Sequence, residues 1–276
     1  MRQICDVCRL QPTLSILSAK PPMTSSSNAM PPGDSSSFRT VLITGAAKRI
    51  GRAIAEDLAG HGWRVAIHYR NSRTEADDLV DRIRAAGGHA VALQGDLARA
   101  EDVDALVPSC VAALGPPCCL INNASEFQHD TLETLTRDAW HVHLDINLKA
   151  PVFLAQAMAH HLPAGCEGNV INIIDQRVWN LNPDFFSYTI SKAGLWTATR
   201  TLAQALAPRI RVNAIAPGPV LRSIHQSEDD FAAECASTLM GRGPSPAEIA
   251  DAVRFIIGAP AMTGQMIALD GGQHLT

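Results

Sequence analysis

In the stretch NIIDQRVWNLNPDFFSYTISKAG, Tyr188 stands four residues before Lys192, and Asp175 stands thirteen residues before Tyr188. Positions i and i+4 share one face of a helix, which puts the Lys192 ammonium near the Tyr188 phenol. At about 4 Å and an effective dielectric near 20, that charge contributes at most on the order of 4 kcal/mol. This is roughly 3 pK units, enough to bring a phenol toward neutral pH for acid/base work. An ionised Asp175 opposes the shift, so its carboxyl is expected to be protonated at some stage or engaged by substrate. Delivered from the end of a preceding strand, it can hold a substrate or steer a proton.

The elements that must position these groups are legible from Arg39 onward. TVLITG, WRVAIHY, HAVALQ, CCLINNAS, NVINII, IRVNAIAPG and QMIALDGG are short apolar runs of the kind found in strands buried on both faces. Helix-length segments lie near 50–60, 74–86, 100–114, 131–161 and 187–207. This rhythm predicts an α/β fold, one doubly wound Rossmann-type domain with a seven-stranded parallel sheet and helices on both sides. Residues 39–276 form that domain. Residues 1–38, rich in Ser and Pro, read as a disordered N-terminal extension.

The first strand runs straight into TGAAKRIG, which places Gly45 at a strand-to-helix turn and Gly51 where the helix begins to pack. Such a turn lets backbone N–H groups and the positive end of a helix face a phosphate. Arg49 can add a guanidinium beside a pyrophosphate. At the end of the second strand, where an acid would accept from a ribose 2′-hydroxyl, the residues are His68, Tyr69, Arg70, Asn71 and Ser72. None is acidic, and Arg70, Asn71 and Ser72 suit a 2′-phosphate. NADPH is therefore expected rather than NADH.

Composition excludes several classes. The 276 residues are 46% hydrophobic, enough to bury one large core. A net charge of -4 gives no overall basic field for nucleic acid or an anionic membrane. No apolar run reaches membrane-spanning length and no secretory signal is evident, so a cytoplasmic protein is expected. The seven cysteines are scattered without a disulfide pattern. Cys5 and Cys8 have the spacing of half a zinc site, but no second ligand pair lies nearby, and no metal is assigned. His141 and His143 alternate along a helix segment and read as surface or interface groups.

The chain from about 39 to 276 resembles the short-chain dehydrogenase/reductases. TGAAKRIG, GDL at 95–97, NNAS at 122–125, Asn147 in DINLKAP, Tyr188 with Lys192, PG at 217–218 and DGG at 270–272 match that family's order and spacing. The resemblance implies that Asp96 and Leu97 flank an adenine and that Asn123 closes the pocket. It implies further cofactor contacts at Lys48, Ile50, Ala124, Ser125, Pro217 and Gly218, and a proton-relay water supported by Asn147 beside Lys192. A homotetramer is implied as well, in keeping with segments 131–161 and 187–207 being apolar on more than one face.

Departures from the family pattern narrow the reading. Asp175 stands where most members carry Ser, Arg49 stands at a common Gly, and Ser125 stands at the Gly that often follows NNA. Together with HYRNS and Phe127, these resemble the pteridine reductase branch, which includes dihydromonapterin and dihydrofolate reductases. The resemblance implies that Asp175, Tyr188 and Lys192 carry the acid chemistry and that Phe127 stacks on a pterin, with Arg49 also reaching the substrate. A carbonyl or 3-oxoacyl-thioester reductase of the same fold is the alternative. A catalytically silent NADPH-binding protein is a third reading, disfavoured by the intact Asn147, Tyr188 and Lys192.

Overall fold

The computed structural model describes residues 39–223 and 226–276. The expected N-terminal extension, residues 1–38 with Cys5 and Cys8, lies outside the described residues. Seven strands form one parallel sheet: β1 (Thr40–Ile43), β2 (Arg64–Tyr69), β3 (His89–Gln94), β4 (Cys119–Asn122), β5 (Gly168–Ile173), β6 (Ile210–Pro217) and β7 (Met266–Leu269), in the order β3-β2-β1-β4-β5-β6-β7. Each apolar run of the sequence supplies one strand.

Alternation along the strands divides the core into two layers. Val41 and Ile43 pack with Ile54 and Leu58 of α1 (Arg49–Gly60), Leu79 of α2 (Arg73–Ala85) and Val253 of α8 (Pro246–Ile257). Leu42 and Leu120 face the other way, against Leu106 of α3 (Ala100–Leu114), Leu154 of α5 (Ala150–His161) and Ala203 of α6 (Phe186–Leu206). Fully burying one such side chain contributes about 1.5–3 kcal/mol, so both layers hold the sheet firmly. The chain's winding reverses between β1 and β4. In an open sheet of this kind, the crevice beyond the strand ends at that reversal is the natural ligand site.

The segment expected as one helix over 131–161 is interrupted. Helix α4 (Arg137–Leu144) begins at the Thr136 cap, a π-helical turn spans Asp145–Lys149, and α5 follows. Two helices escaped the sequence reading, α7 (Glu228–Ala236) and α8. Both open on a capping box, Ser227 with Asp230 and Ser245 with Glu248, and α8 also has Pro246 at its first position. Those caps were the available signal. No described helix is long and apolar enough to cross a membrane.

Candidate active site

The end of β5 and the first turn of α6 bring the three groups together. The Tyr188 hydroxyl donates to Asp175 Oδ2 at 2.8 Å, and Lys192 Nζ lies 5.7 Å from the Tyr188 ring centroid while donating to the Ile173 carbonyl at 2.9 Å. Lys192 and Tyr188 are buried and Asp175 is half-buried. Burial raises the Asp175 carboxyl above its ordinary value, against the Arg177 N–H and the Tyr188 hydroxyl. Burial also brings Lys192 down to about 8, with Asp175 opposing.

The expected lowering of the phenol is corrected here. Burial first, and then the neighbouring carboxyl of Asp175, push Tyr188 well above its ordinary value. A phenol that donates to a carboxyl loses that bond on ionising, which adds to the cost of desolvating a phenolate. Tyr188 is therefore held in its protonated form, donating to Asp175.

Helix α6 begins awkwardly. Phe185, its N-cap, has φ 55 and supplies no side-chain cap. A non-glycine residue in the left-handed region costs roughly 1–2 kcal/mol. The cap comes instead from buried Asp130, whose Oδ1 accepts from the Ser187 N–H at 3.1 Å and whose Oδ2 accepts from the Ser187 hydroxyl. Ser187 in turn accepts from His143 Nδ1 at 2.6 Å, and the Gln128 N–H donates to His143 Nε2 at 3.1 Å. His143 is thus a fully buried, neutral link between α4, α6 and the segment after β4, and not the surface or interface group the sequence suggests. Burial lowers its pKa in keeping with that. Helical alternation alone could not reveal a partner 44 residues away.

Asn147, in the π-helical turn, is equally committed. Its Oδ1 accepts from the Glu126 N–H at 2.8 Å and from Ser125 Oγ at 3.3 Å, and its Nδ2 donates to the Glu126 carbonyl and to Ser191 Oγ, each at 3.0 Å. The side chain pins the segment that carries Phe127 against α6. Phe127 stacks on Phe185 with centroids 4.4 Å apart and rings 6° from parallel, and meets Tyr188 edge-on at 4.7 Å. Phe185, three residues before Tyr188, is a site residue that the sequence reading passed over. So is Arg177, whose guanidinium stands 4.8 Å from the Phe185 ring centroid.

The crevice at the ends of β1 and β2 fits a dinucleotide. Gly45 turns with φ +62, and a Cβ there would lie 2.9 Å from Ala124 Cα. At Gly51 a Cβ would lie 2.5 Å from the Gly45 carbonyl and 2.6 Å from Asn123 Nδ2, so helix and turn close on each other only with glycine. Asn123 Nδ2 donates to the Thr44 and Gly45 carbonyls, fixing the turn. Lys48, the N-cap of α1, makes no side-chain cap and pairs with Glu75, and the first turn carries no acid. Its N–H groups are suited to an anion. Ile50 packs on the core and Leu97 is buried. Gly218 closes β6 on β7 beside Pro217, donating to the Leu269 carbonyl at 3.0 Å.

Arg70, Asn71 and Asp96 line one hollow with Gln94, Arg99 and Asp102, the last two paired at 3.9 Å. Arg99 was not anticipated. Arg70 also reaches Glu126 Oε2 at 3.5 Å, across the crevice, and Ser72 is the N-cap residue of α2. His68 and Tyr69 are corrections, because both side chains are buried. The Gly45 N–H donates to His68 Nδ1 at 3.1 Å, so the Nε2–H faces the Gly95 carbonyl at 3.1 Å. With its pKa lowered to about 4 by burial, His68 is a neutral brace under the glycine turn. Arg49 keeps a glycine-like φ of 55, and its guanidinium donates to the Leu221 and Arg222 carbonyls, both at 2.9 Å, tying α1 to the loop after β6.

The family model described as enoyl-(acyl carrier protein) reductase matches residues 45–274. The chain belongs to the short-chain dehydrogenase/reductase family. Among solved members, it is 51% identical to the FolM alternative dihydrofolate reductase 1 of Brucella suis in complex with NADP, with TM-score 0.81 over 86% of this chain and 95% of that one. The corresponding protein of Brucella canis, complexed with NADP, is 50% identical, with TM-score 0.83 over 87% and 96%. Among curated reductases of the family, the 3-oxoacyl-[acyl-carrier-protein] reductase of Synechocystis is 33% identical over 239 residues, or 85% of this chain and 96% of its own length.

Proposed function

We propose that the protein reduces a C=N bond of a pterin or folate with NADPH. The observation that carries this reading is the Asp175 carboxyl bonded to the Tyr188 phenol beside the Phe127 ring. A pterin offers ring nitrogens, an amide edge and an amino group, and a carboxyl meets such an edge with more hydrogen-bonding capacity than a hydroxyl. NADPH, when bound, supplies the hydride. Tyr188, kept protonated by burial and Asp175, gives its proton to the neighbouring ring nitrogen. Lys192 stabilises the phenolate that remains, and Asp175 holds the substrate edge while keeping the phenol aimed.

The FolM relatives support this reading, and the 3-oxoacyl-[acyl-carrier-protein] relative supports the second one, reduction of a carbonyl or 3-oxoacyl thioester. NADPH oxidation by purified protein with dihydromonapterin, dihydrobiopterin, dihydrofolate and a simple ketone separates them. Turnover of the ketone with no dihydropterin or dihydrofolate turnover sinks the first reading.

Two further expectations belong to it. NADPH should bind at least tenfold more tightly than NADH, about 1.4 kcal/mol, in a fluorescence titration, with Arg70→Asp narrowing the gap; equal affinities would refute the assignment of Arg70, Asn71 and Ser72. The chain should also assemble as a homotetramer, since Phe153 on α5 is 45% exposed and Trp196 on α6 is only partly covered. A monomeric mass by light scattering at micromolar concentration speaks against it.

A further inference from the structure

Arg177 is a cation that the chemistry above leaves unused. Its backbone N–H donates to Asp175 Oδ1 at 2.8 Å, which fixes it beside the catalytic carboxyl. Its side chain is half-buried, lies over Phe185 and donates to the neutral Asn182 Oδ1 at 3.3 Å. Among the described residues no carboxylate forms an ion pair with it. Nearby acids are engaged elsewhere: Asp175 with Tyr188, and Asp184 with His129 at 3.5 Å. The other arginines around the crevice are held too, Arg49 by two carbonyls, Arg70 by Glu126 and Arg99 by Asp102.

A planar guanidinium laid on an aromatic face is pre-oriented, weakly hydrated and shaped to take a carboxylate through two N–H groups. The face it lies on belongs to Phe185, which stacks on Phe127, the ring next to Tyr188. The guanidinium is thus two rings from Tyr188, with Phe185 and then Phe127 between, beside the reacting groups and not among them. We propose that Arg177 is a specificity residue that receives a carboxylate on the substrate's tail, so that the site selects a pterin bearing an anionic substituent, a folate, over one with a neutral alcohol side chain. This rests on the pterin reading above.

The test compares kcat/KM for dihydrofolate and for the neutral 6-hydroxymethyl-dihydropterin in the wild type, Arg177→Gln and Arg177→Lys. The wild type should favour dihydrofolate. Arg177→Gln should lower the ratio of the two kcat/KM values tenfold or more, through the KM for dihydrofolate, and Arg177→Lys should restore part of it. Raising the salt should shrink the wild-type ratio and leave that of Arg177→Gln where it is. A ratio that Arg177→Gln leaves unchanged overturns the proposal, as does an equal loss on both substrates, which would mean that the charge acts through Asp175. If the wild type reduces neither compound, the pterin reading falls, and Arg177 is judged by equilibrium binding of folate to the NADP⁺ complex. A tenfold weaker affinity in Arg177→Gln then upholds the role of Arg177, and equal affinities or no binding overturn it.

Discussion

Tyr188→Phe should lower turnover by about 10²- to 10⁴-fold, the range of a lost general acid, while NADPH binding stays within about twofold because Arg70, Asn71 and the α1 N-terminus are untouched. The pH dependence gives this expectation a sign. Tyr188 lies well above its ordinary value, so the phenol is still protonated where Lys192, brought down to about 8, loses its charge. Below that value the ammonium is present to stabilise the phenolate left by proton donation, and activity is full. Above it the ammonium is lost, and kcat should fall as pH rises through about 8. Stopped-flow or steady-state kcat across that limb checks the assignment. A flat profile, or a Lys192→Met variant that keeps the same limb, would remove Lys192 from the role.

Asp175→Ser and Asp175→Ala should each lose dihydropterin reduction by about 10²-fold or more, since the carboxyl both aims the phenol and meets the substrate edge. The serine variant carries the informative contrast. It restores the hydroxyl that most members of the family have at this position. If the protein were a carbonyl reductase with an incidental acid, ketone turnover would persist or rise. Dihydropterin turnover that survives in Asp175→Ser with KM unchanged would end the pterin reading. Removing the acid should also lower the pKa of Tyr188, because Asp175 is the second cause of its elevation after burial. A spectrophotometric phenol titration of Asp175→Ser against the wild type reads that shift directly.

The strands and the pairing of Tyr188 with Lys192 were legible in the sequence because each rests on a short-range regularity. An apolar run marks a strand buried on both faces, and i, i+4 spacing puts Tyr188 and Lys192 on one face of α6. The glycine turn was legible for a related reason, since only Gly tolerates the contacts at positions 45 and 51. The break in the 131–161 segment was not, because Asn147 in the π-helical turn bonds Glu126 and Ser191, partners far along the chain. Helix α8 was missed despite its capping box.

By itself the sequence determined the α/β order, the glycine turn after the first strand and the spacing of Asp175, Tyr188 and Lys192. Only the tertiary structure decided their protonation. Burial and the Tyr188–Asp175 bond, made across thirteen residues, turn an expected low-pKa tyrosine into one that stays protonated. The same holds for His68, read along the chain as a cofactor contact, and His143, read as a surface or interface group, which became neutral buried braces once β2 and α4 were packed. Desolvation depends on what the rest of the chain places around a group, and local spacing contains no record of it.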